Sequence, residues 1–331
     1  MKKFLIIQTA FIGDVVLATC IAEKLHQFFP AAHIDMMVRK GNEGLLENHP
    51  FLHEILIWNK KENKFRNLIR MIRKVRKNRY DTVINVQRFA ATGLIAALSG
   101  AKETIGFDKN PMSFLFSKKI PHLIAPEGEV IHEVTRNLQL IASFTDNQPV
   151  KPVLYPSTAD VERIMPYTHN PFITISPASV WFTKQYPPEK WRSFLFAIPE
   201  KFTVYLLGAP GDKALADTIL HGIPRNIINL CGQLSFLQSA ALMKRAAMNY
   251  VNDSAPLHFA SAMNAPVAAV YCSTIPAFGF GPLSDQQAVI ELKAPLYCRP
   301  CGLHGYKACP EGHFFCANKI ADQQLLEVLS T

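Results

Sequence analysis

The sequence predicts an α/β protein of two tandem domains, each a parallel sheet wrapped by helices, with a cleft between the carboxyl ends of the sheets. Three observations predict it. Short β-rich apolar runs alternate with stretches of helical periodicity, the rhythm of a parallel sheet whose crossovers are helices. That rhythm breaks over 145–171, where Pro149, Pro152, Pro156, Pro166 and Pro171 fall among few long apolar runs, and then restarts. The chain also has 331 residues, more than one hydrophobic core commonly fills.

In order, Phe4–Ile7, Ile34–Val38, Glu54–Trp58, Thr82–Val86 and Thr104–Phe107 read as strands of a first domain over 1–150. Residues 151–171 read as a linker. A second domain over 172–331 has strands at Phe172–Ser176, Thr203–Leu207, Ile227–Leu230, Asn249–Val251 and Val267–Tyr271. Its helices read as Pro188–Ala197, Asp212–Leu220, Phe236–Arg245 and Ala255–Met263. Open α/β sheets bind ligands beyond the carboxyl ends of their strands, so the functional residues are expected in the loops that follow them.

Hydrophobic residues make up 49% and charged residues 18%, with mean hydropathy +0.07, which excludes a disordered chain. No run approaches the ~18 apolar residues of a membrane span; the best, Phe89–Leu98, includes Thr92 and Gly93. The start, Met1-Lys2-Lys3 before Phe4–Ile7, has the look of a leader, and Leu17-Ala18-Thr19-Cys20 that of a lipoprotein cleavage box. Gln8, Thr9 and Asp14 interrupt the apolar region, so a buried first strand and a cytoplasmic protein are expected. Cys20, Cys231 and Cys272 lie far apart in apolar segments, as reduced core thiols do.

The net charge is +9. Residues 60–79 hold Lys60, Lys61, Lys64, Arg66, Arg70, Arg73, Lys74, Arg76, Lys77 and Arg79 against the single acid Glu62, so this stretch alone carries the surplus. Phe65, Leu68, Ile69, Ile72 and Val75 recur there at helical spacing, predicting a packed face opposite a basic stripe. A solvated face is the plain alternative; mutual repulsion of so many cations favours an anionic partner, whether lipid head groups, a phosphorylated glycolipid or nucleic acid.

The turn after the first strand, Gln8 to Asp14, has one glycine, which excludes a dinucleotide fingerprint of Gly-x-Gly-x-x-Gly type; there is no Walker lysine motif and no Asp-x-Asp pair. Three segments carry chemistry. Ile12-Gly13-Asp14 sits where the first strand turns into a helix, so Asp14 is either a first-turn acid or a base at the cleft edge. Ser176 to Trp191 follows the first strand of the second domain, where Ser179 and Lys184 could hold phosphate oxygens. In Asn252-Asp253-Ser254-Ala255-Pro256-Leu257-His258, Ser254 reads as the cap of a helix with proline in its first turn, whose amides form an anion site. His258 reads equally as a core histidine or a ligand contact.

At these places the chain resembles the lipopolysaccharide heptosyltransferases of glycosyltransferase family 9. The likeness lies in Ile12-Gly13-Asp14, in Lys184, Pro187 and Trp191 spaced as Lys-x-x-Pro-x-x-x-Trp, and in Asn252 to His258. It implies a GT-B fold of two Rossmann-like domains and an inverting, metal-independent transfer from ADP-heptose, with no cofactor. It further implies Asp14 as catalytic base, Lys184 as the lysine of the donor phosphate, and a donor-binding set of Gly13, Ser179, Gly208, Asp212 and Asn252 to His258. Ala255 stands where many members have glycine. Arg88 and Arg136 are the acceptor-binding candidates. The implied partners are an ADP-sugar, an anionic lipopolysaccharide-core acceptor and the cytoplasmic face of the inner membrane, not nucleic acid. The rival readings are a sugar-nucleotide epimerase and a basic module that binds nucleic acid or another polyanion without catalysis. Near the C-terminus Cys298, Cys301, Cys309 and Cys316 form a candidate set for a structural Zn site, with reduced thiols as the alternative.

Overall fold

Two six-stranded parallel sheets carry the chain, one in each of two units, Met1–Tyr155 and Pro156–Thr331, in a computed structural model that describes residues 1–124, 129–224 and 226–330. The first unit contains β1 (Lys3–Ile7), α1 (Ile12–Phe28), β2 (His33–Arg39), β3 (Leu52–Trp58), α2 (Lys64–Asn78), β4 (Thr82–Asn85), α3 (Ala90–Ala97), β5 (Glu103–Phe107), β6 (Lys118–Ile120) and α4 (Glu133–Gln139). Its sheet order is β3-β2-β1-β4-β5-β6. The winding reverses between β1 and β4, whose loops must diverge and leave a crevice at their carboxyl ends. Phe4 to Ile7 are fully buried because a central parallel strand is covered on both faces.

The helices of this unit are unequal. α1 is buried along most of its length, from Gly13 to Leu25 apart from Asp14, and packs against α4. α2 docks only through Met71 and Val75, with Leu68 and Ile72 partly covered. Phe65 is 83% exposed and Ile69 49%, so neither belongs to the packed face the periodicity predicts. The cause is placement: the helix meets the core through 68, 71, 72 and 75, and its first turn overhangs.

The second unit contains α5 (Thr158–Ile164), β7 (Phe172–Ser176), α6 (Pro188–Ala197), β8 (Thr203–Leu206), α7 (Lys213–Leu220), β9 (Ile227–Asn229), α8 (Phe236–Arg245), β10 (Met248–Asn252), α9 (Ala255–Ala262), β11 (Val267–Tyr271), β12 (Gln287–Glu291), α10 (Phe315–Asn318) and α11 (Gln323–Ser330). Its order, β9-β8-β7-β10-β11-β12, repeats the first, with the switch point between β7 and β10. Trp191, Phe194, Tyr186 and Tyr250 fill the core on one side of the sheet. The proline-rich stretch 151–171 is not linker throughout. Ser157 Oγ accepts from Asp160 N (3.1 Å) while Asp160 Oδ2 accepts from Ser157 N (2.9 Å), a capping box that starts α5 and seats it on α8. The second unit therefore begins at Pro156 rather than at 172.

The sequence reading omits β6 and β12, the outermost strands on one side of each sheet. Edge strands are short and half-exposed, and in β6 two lysines guard the open edge. No helix among the described residues is long and apolar enough to cross a membrane.

Candidate active site

In the first unit the carboxyl edge of the sheet is fastened by amides. Gln8 Oε1 accepts from Ala10 N (3.2 Å) and from Gln87 Nε2, and Asn110 Nδ2 donates to Gln87 O (2.7 Å) and Phe89 O (3.1 Å). Gly93 is required beneath this network, because a Cβ there would lie 2.2 Å from Asn110 Oδ1. The turn after β1 is thus held rigidly to the end of β4, and it delivers Gly13, buried, and Asp14, half-buried, in the first turn of α1.

Phe11 occupies the N-cap without a side-chain bond, so Asp14 is not the cap. Burial pushes the Asp14 carboxyl up from 3.8 to about 6, and the Glu133 carboxylate on the first turn of α4 adds to the rise. The amides of Asp14 and Phe11 and the Arg88 guanidinium oppose it without cancelling it. A carboxyl so placed is ionised at neutral pH yet more basic than an exposed aspartate, which suits a general base.

The two arginines expected to meet an acceptor differ. Arg88 is exposed at the end of β4, its guanidinium 5.9 Å from the centre of the Phe89 ring. Arg136 is 1% exposed, with Nε 2.7 Å from Glu133 Oε2 and Nη1 donating to Ile131 O (2.6 Å). Its charge is spent inside the unit, so Arg136 is a structural ion-pair partner of Glu133 rather than an acceptor contact.

In the second unit the loop after β7 carries Lys184 on a single helical turn, Phe182–Lys184. Lys184 Nζ lies 2.6 Å from Asp253 Oδ2, which also accepts from Thr274 Oγ1 at 2.6 Å. Asn252 is fully buried: Nδ2 donates to Pro177 O (2.7 Å) and Oδ1 accepts from Tyr186 N (2.9 Å), clasping both ends of the lysine loop. Asn252 and Asp253 thus position Lys184 and its loop. Leu257 and His258 are buried, the His258 ring 6.3 Å from that of Phe280.

What remains reachable is Ser254, Ala255 and Pro256, all half-buried at the start of α9. Ser254 is extended and its hydroxyl turns back to Asn252 O (3.4 Å) instead of capping. The helix therefore begins with no side chain over its amides, an open positive end beside a lysine. Ser179 is half-buried, its carbonyl taking a bond from Gln185 Nε2 (2.6 Å). After β8, Gly208 has no room for a Cβ, which would lie 2.9 Å from the Asp212 side chain and 3.0 Å from Cys231 Sγ. Asp212 accepts from Ala209 N (2.8 Å) through Oδ2 and stays half-buried.

A strap that the sequence reading does not identify locks the lysine loop. Tyr306 N donates to Thr183 Oγ1 (2.7 Å), Thr183 N to Tyr306 O (3.1 Å), Ser273 Oγ to Thr183 Oγ1 (3.0 Å) and Cys301 N to Ser273 O (2.8 Å). These partners lie more than ninety residues apart in places, and no local pattern marks them. Cys298, Cys301, Cys309 and Cys316 border one cavity of about 220 Å3 in this strap, all four as free thiols. Among the described residues no group of three or more His, Cys, Asp or Glu is disposed to hold a metal ion, so the candidate Zn set is not assembled. Cys316 lines this cavity and also packs in the hydrophobic core, with Cys309 against it.

Residues 68–306 match glycosyltransferase family 9 (heptosyltransferase). Lipopolysaccharide heptosyltransferase 3 of Escherichia coli is 25% identical over 279 residues, covering 80% of this chain and 82% of that protein. The structure of E. coli ADP-heptose lipopolysaccharide heptosyltransferase II superposes with TM-score 0.81 at 21% identity, covering 100% of this chain and 98% of that one. E. coli heptosyltransferase WaaC, solved with ADP, gives TM-score 0.74 at 17% identity over 99% of each chain. The two sheets with their repeated strand order are the GT-B fold of these structures, and with the matched segment they establish that the chain belongs to glycosyltransferase family 9.

Proposed function

We propose that the protein transfers a heptose from an ADP-sugar to an anionic lipopolysaccharide inner-core acceptor, with inversion and without a metal. The observation that carries this reading is the Lys184–Asp253 pair beside the uncapped start of α9: a lysine and backbone amides directed at one place suit a diphosphate leaving group. The first unit supplies the acceptor side. Asp14 takes the proton of the acceptor hydroxyl as that oxygen attacks the anomeric carbon opposite the diphosphate. The C1–O bond to phosphate breaks, and ADP departs with the electron pair. Arg88, exposed at the same sheet edge, offers charge to an acidic acceptor.

The basic α2 helix fits the cytoplasmic face of an anionic membrane, where a lipid-borne acceptor would lie, and the exposure of Phe65 and Ile69 adds an apolar contribution to that contact. Thermal-shift screening against ADP-, UDP- and GDP-sugars tests the donor, since a ligand at 100 times its Kd adds about 2.7 kcal/mol of stability. The reading predicts a response to ADP-sugars, undiminished by EDTA. A response confined to UDP- or GDP-sugars would overturn the donor assignment.

A further inference from the structure

One segment of the second unit carries chemistry that the proposed transfer does not use. Cys298, Cys301, Cys309 and Cys316 are free thiols around one cavity of about 220 Å3, but they are not equivalent. Cys316 belongs to the hydrophobic core and Cys309 packs against it, whereas Cys298 and Cys301 lie outside that core and are half-buried. These two stand as Cys298-Arg299-Pro300-Cys301, the Cys-x-x-Cys spacing of dithiols that open and close. Their geometry agrees: the Cys301 thiol donates to Cys298 O across 3.2 Å, so its sulfur already lies against residue 298. Burial, and after it the neighbouring Cys298 and Cys309, push the Cys301 thiol up, a sign that these sulfurs stand close enough to act on one another.

The pair is wired to the lysine loop. Cys301 N donates to Ser273 O (2.8 Å), Ser273 Oγ to Thr183 Oγ1 (3.0 Å), and Thr183 precedes Lys184. This line has no slack, since a Cβ on Gly305 would meet Thr183 Oγ1 at 2.8 Å, Lys184 Cγ at 3.1 Å and Ser273 Oγ at 3.2 Å. Between the cysteines Arg299 is pinned, Nε donating to Cys272 O (2.8 Å) and Nη2 to Thr274 O (2.8 Å). Joining the two sulfurs has to turn the chain about a fixed Arg299, and so shifts Cys301 against Ser273. We propose that Cys298 and Cys301 form a reversible redox-modification site, whose closure by a small-molecule disulfide such as glutathione disulfide loosens the strap and frees Lys184 from its place. The Cys298 thiolate attacks one sulfur of the oxidant, the S–S bond of the oxidant breaks and one small thiol leaves. Cys301 then gives up its proton and attacks the Cys298 sulfur, expelling the second small thiol. The protein loses two electrons and two protons, and the small disulfide becomes two thiols. The effect on the donor rests on Lys184 holding its diphosphate.

The site is tested on the full-length protein, equilibrated in glutathione buffers from reducing to oxidising, alkylated and mapped by peptide mass spectrometry. A Cys298–Cys301 disulfide that dithiothreitol reopens is expected. Bridges to Cys309 or Cys316 instead, glutathione adducts that never close, or a metal ion held by the thiols of the purified protein overturn the site. Amide exchange then reads the strap. The amides of Thr183, Cys301 and Tyr306, each bonded within it, should exchange several-fold faster after oxidation, and in Cys298→Ser or Cys298→Ala the oxidant should change nothing. Unchanged or slower exchange in the oxidised wild type overturns the coupling. The Kd for ADP should rise about tenfold on oxidation, the worth of one charge-assisted hydrogen bond, and return with dithiothreitol. An oxidised protein that binds ADP as tightly as the reduced one overturns the release of Lys184. If neither form binds ADP, the proposed donor site fails, while mapping and exchange still decide the redox site.

Discussion

Asp14→Asn should stabilise the protein while disabling it, and the size of the gain can be worked out. The carboxyl titrates near 6 in the folded chain instead of 3.8, because burial and Glu133 disfavour its charged form. Each pH unit corresponds to about 1.4 kcal/mol, so ionising Asp14 in the folded state costs ~3 kcal/mol as an upper figure. Between pH 3.8 and about 6 the folded protein keeps a proton that the unfolded chain has lost, so this group makes stability fall as pH rises. The cost is absent below 3.8 and constant above 6. Asparagine has the same shape and no charge to desolvate. Urea unfolding of both proteins from pH 4 to 8 should therefore give a stability difference near zero at the acid end, growing to ~1–3 kcal/mol in favour of the variant and level above pH 6.5. A difference independent of pH would refute the placement of Asp14 in a charge-disfavouring site, and a variant less stable at pH 8 would mean that its carboxylate makes contacts outweighing its burial.

Lys184→Ala should weaken binding of an ADP-sugar by ~1.5–3 kcal/mol in calorimetry, and should also destabilise the fold because it strands the Asp253 carboxylate. Adding Asp253→Asn should restore the melting temperature but not the affinity; recovery of both would make the pair purely structural. Replacing Arg70, Arg73, Arg76 and Lys77 by Gln should reduce sedimentation with anionic vesicles by about 1 kcal/mol per charge at low salt, with the circular dichroism melt unchanged. Phe65→Ser should weaken the same binding without loss of stability, since that ring is exposed; an unchanged vesicle affinity would leave α2 a solvated face. Gly305→Ala would put a Cβ 2.8 Å from Thr183 Oγ1 at φ +74°, and should cost ~1–3 kcal/mol in denaturation and raise the Kd for ADP. A wild-type Kd in that variant would show that the strap does not position Lys184.

Central strands such as β1 and β11 are legible in the sequence because burial on both faces demands a continuous apolar run, and the motifs at Asp14, Lys184 and Ser254 each follow a buried strand. The edge strands β6 and β12 are not, because half-exposed strands need no such run. Periodicity locates α2 but says nothing of how far it lies over the core, so Phe65 and Ile69 read as packed when they are exposed. The roles of individual polar residues depend on partners distant in sequence. Arg88 and Arg136 look alike until Glu133 takes up one of them, and Asn252 and Asp253 look like ligand contacts until Pro177, Tyr186 and Lys184 absorb their polar atoms. The cysteine quartet has a spacing compatible with metal binding, but spacing does not fix geometry: the four line one cavity, and among the described residues no group is disposed to hold a metal ion.

The most direct test of the account follows ADP release and the glycosylated product from ADP-heptose and a heptose-deficient inner-core acceptor, for wild type and Asp14→Asn in parallel. With EDTA present throughout, wild type should form a product whose anomeric configuration, read by NMR, is opposite to that of the donor. The variant should lose roughly 10²–10⁴ in turnover, the worth of a general base, while its Kd for ADP changes less than about twofold. Transfer retained by Asp14→Asn, a product of unchanged configuration, or activity abolished by EDTA would contradict the account.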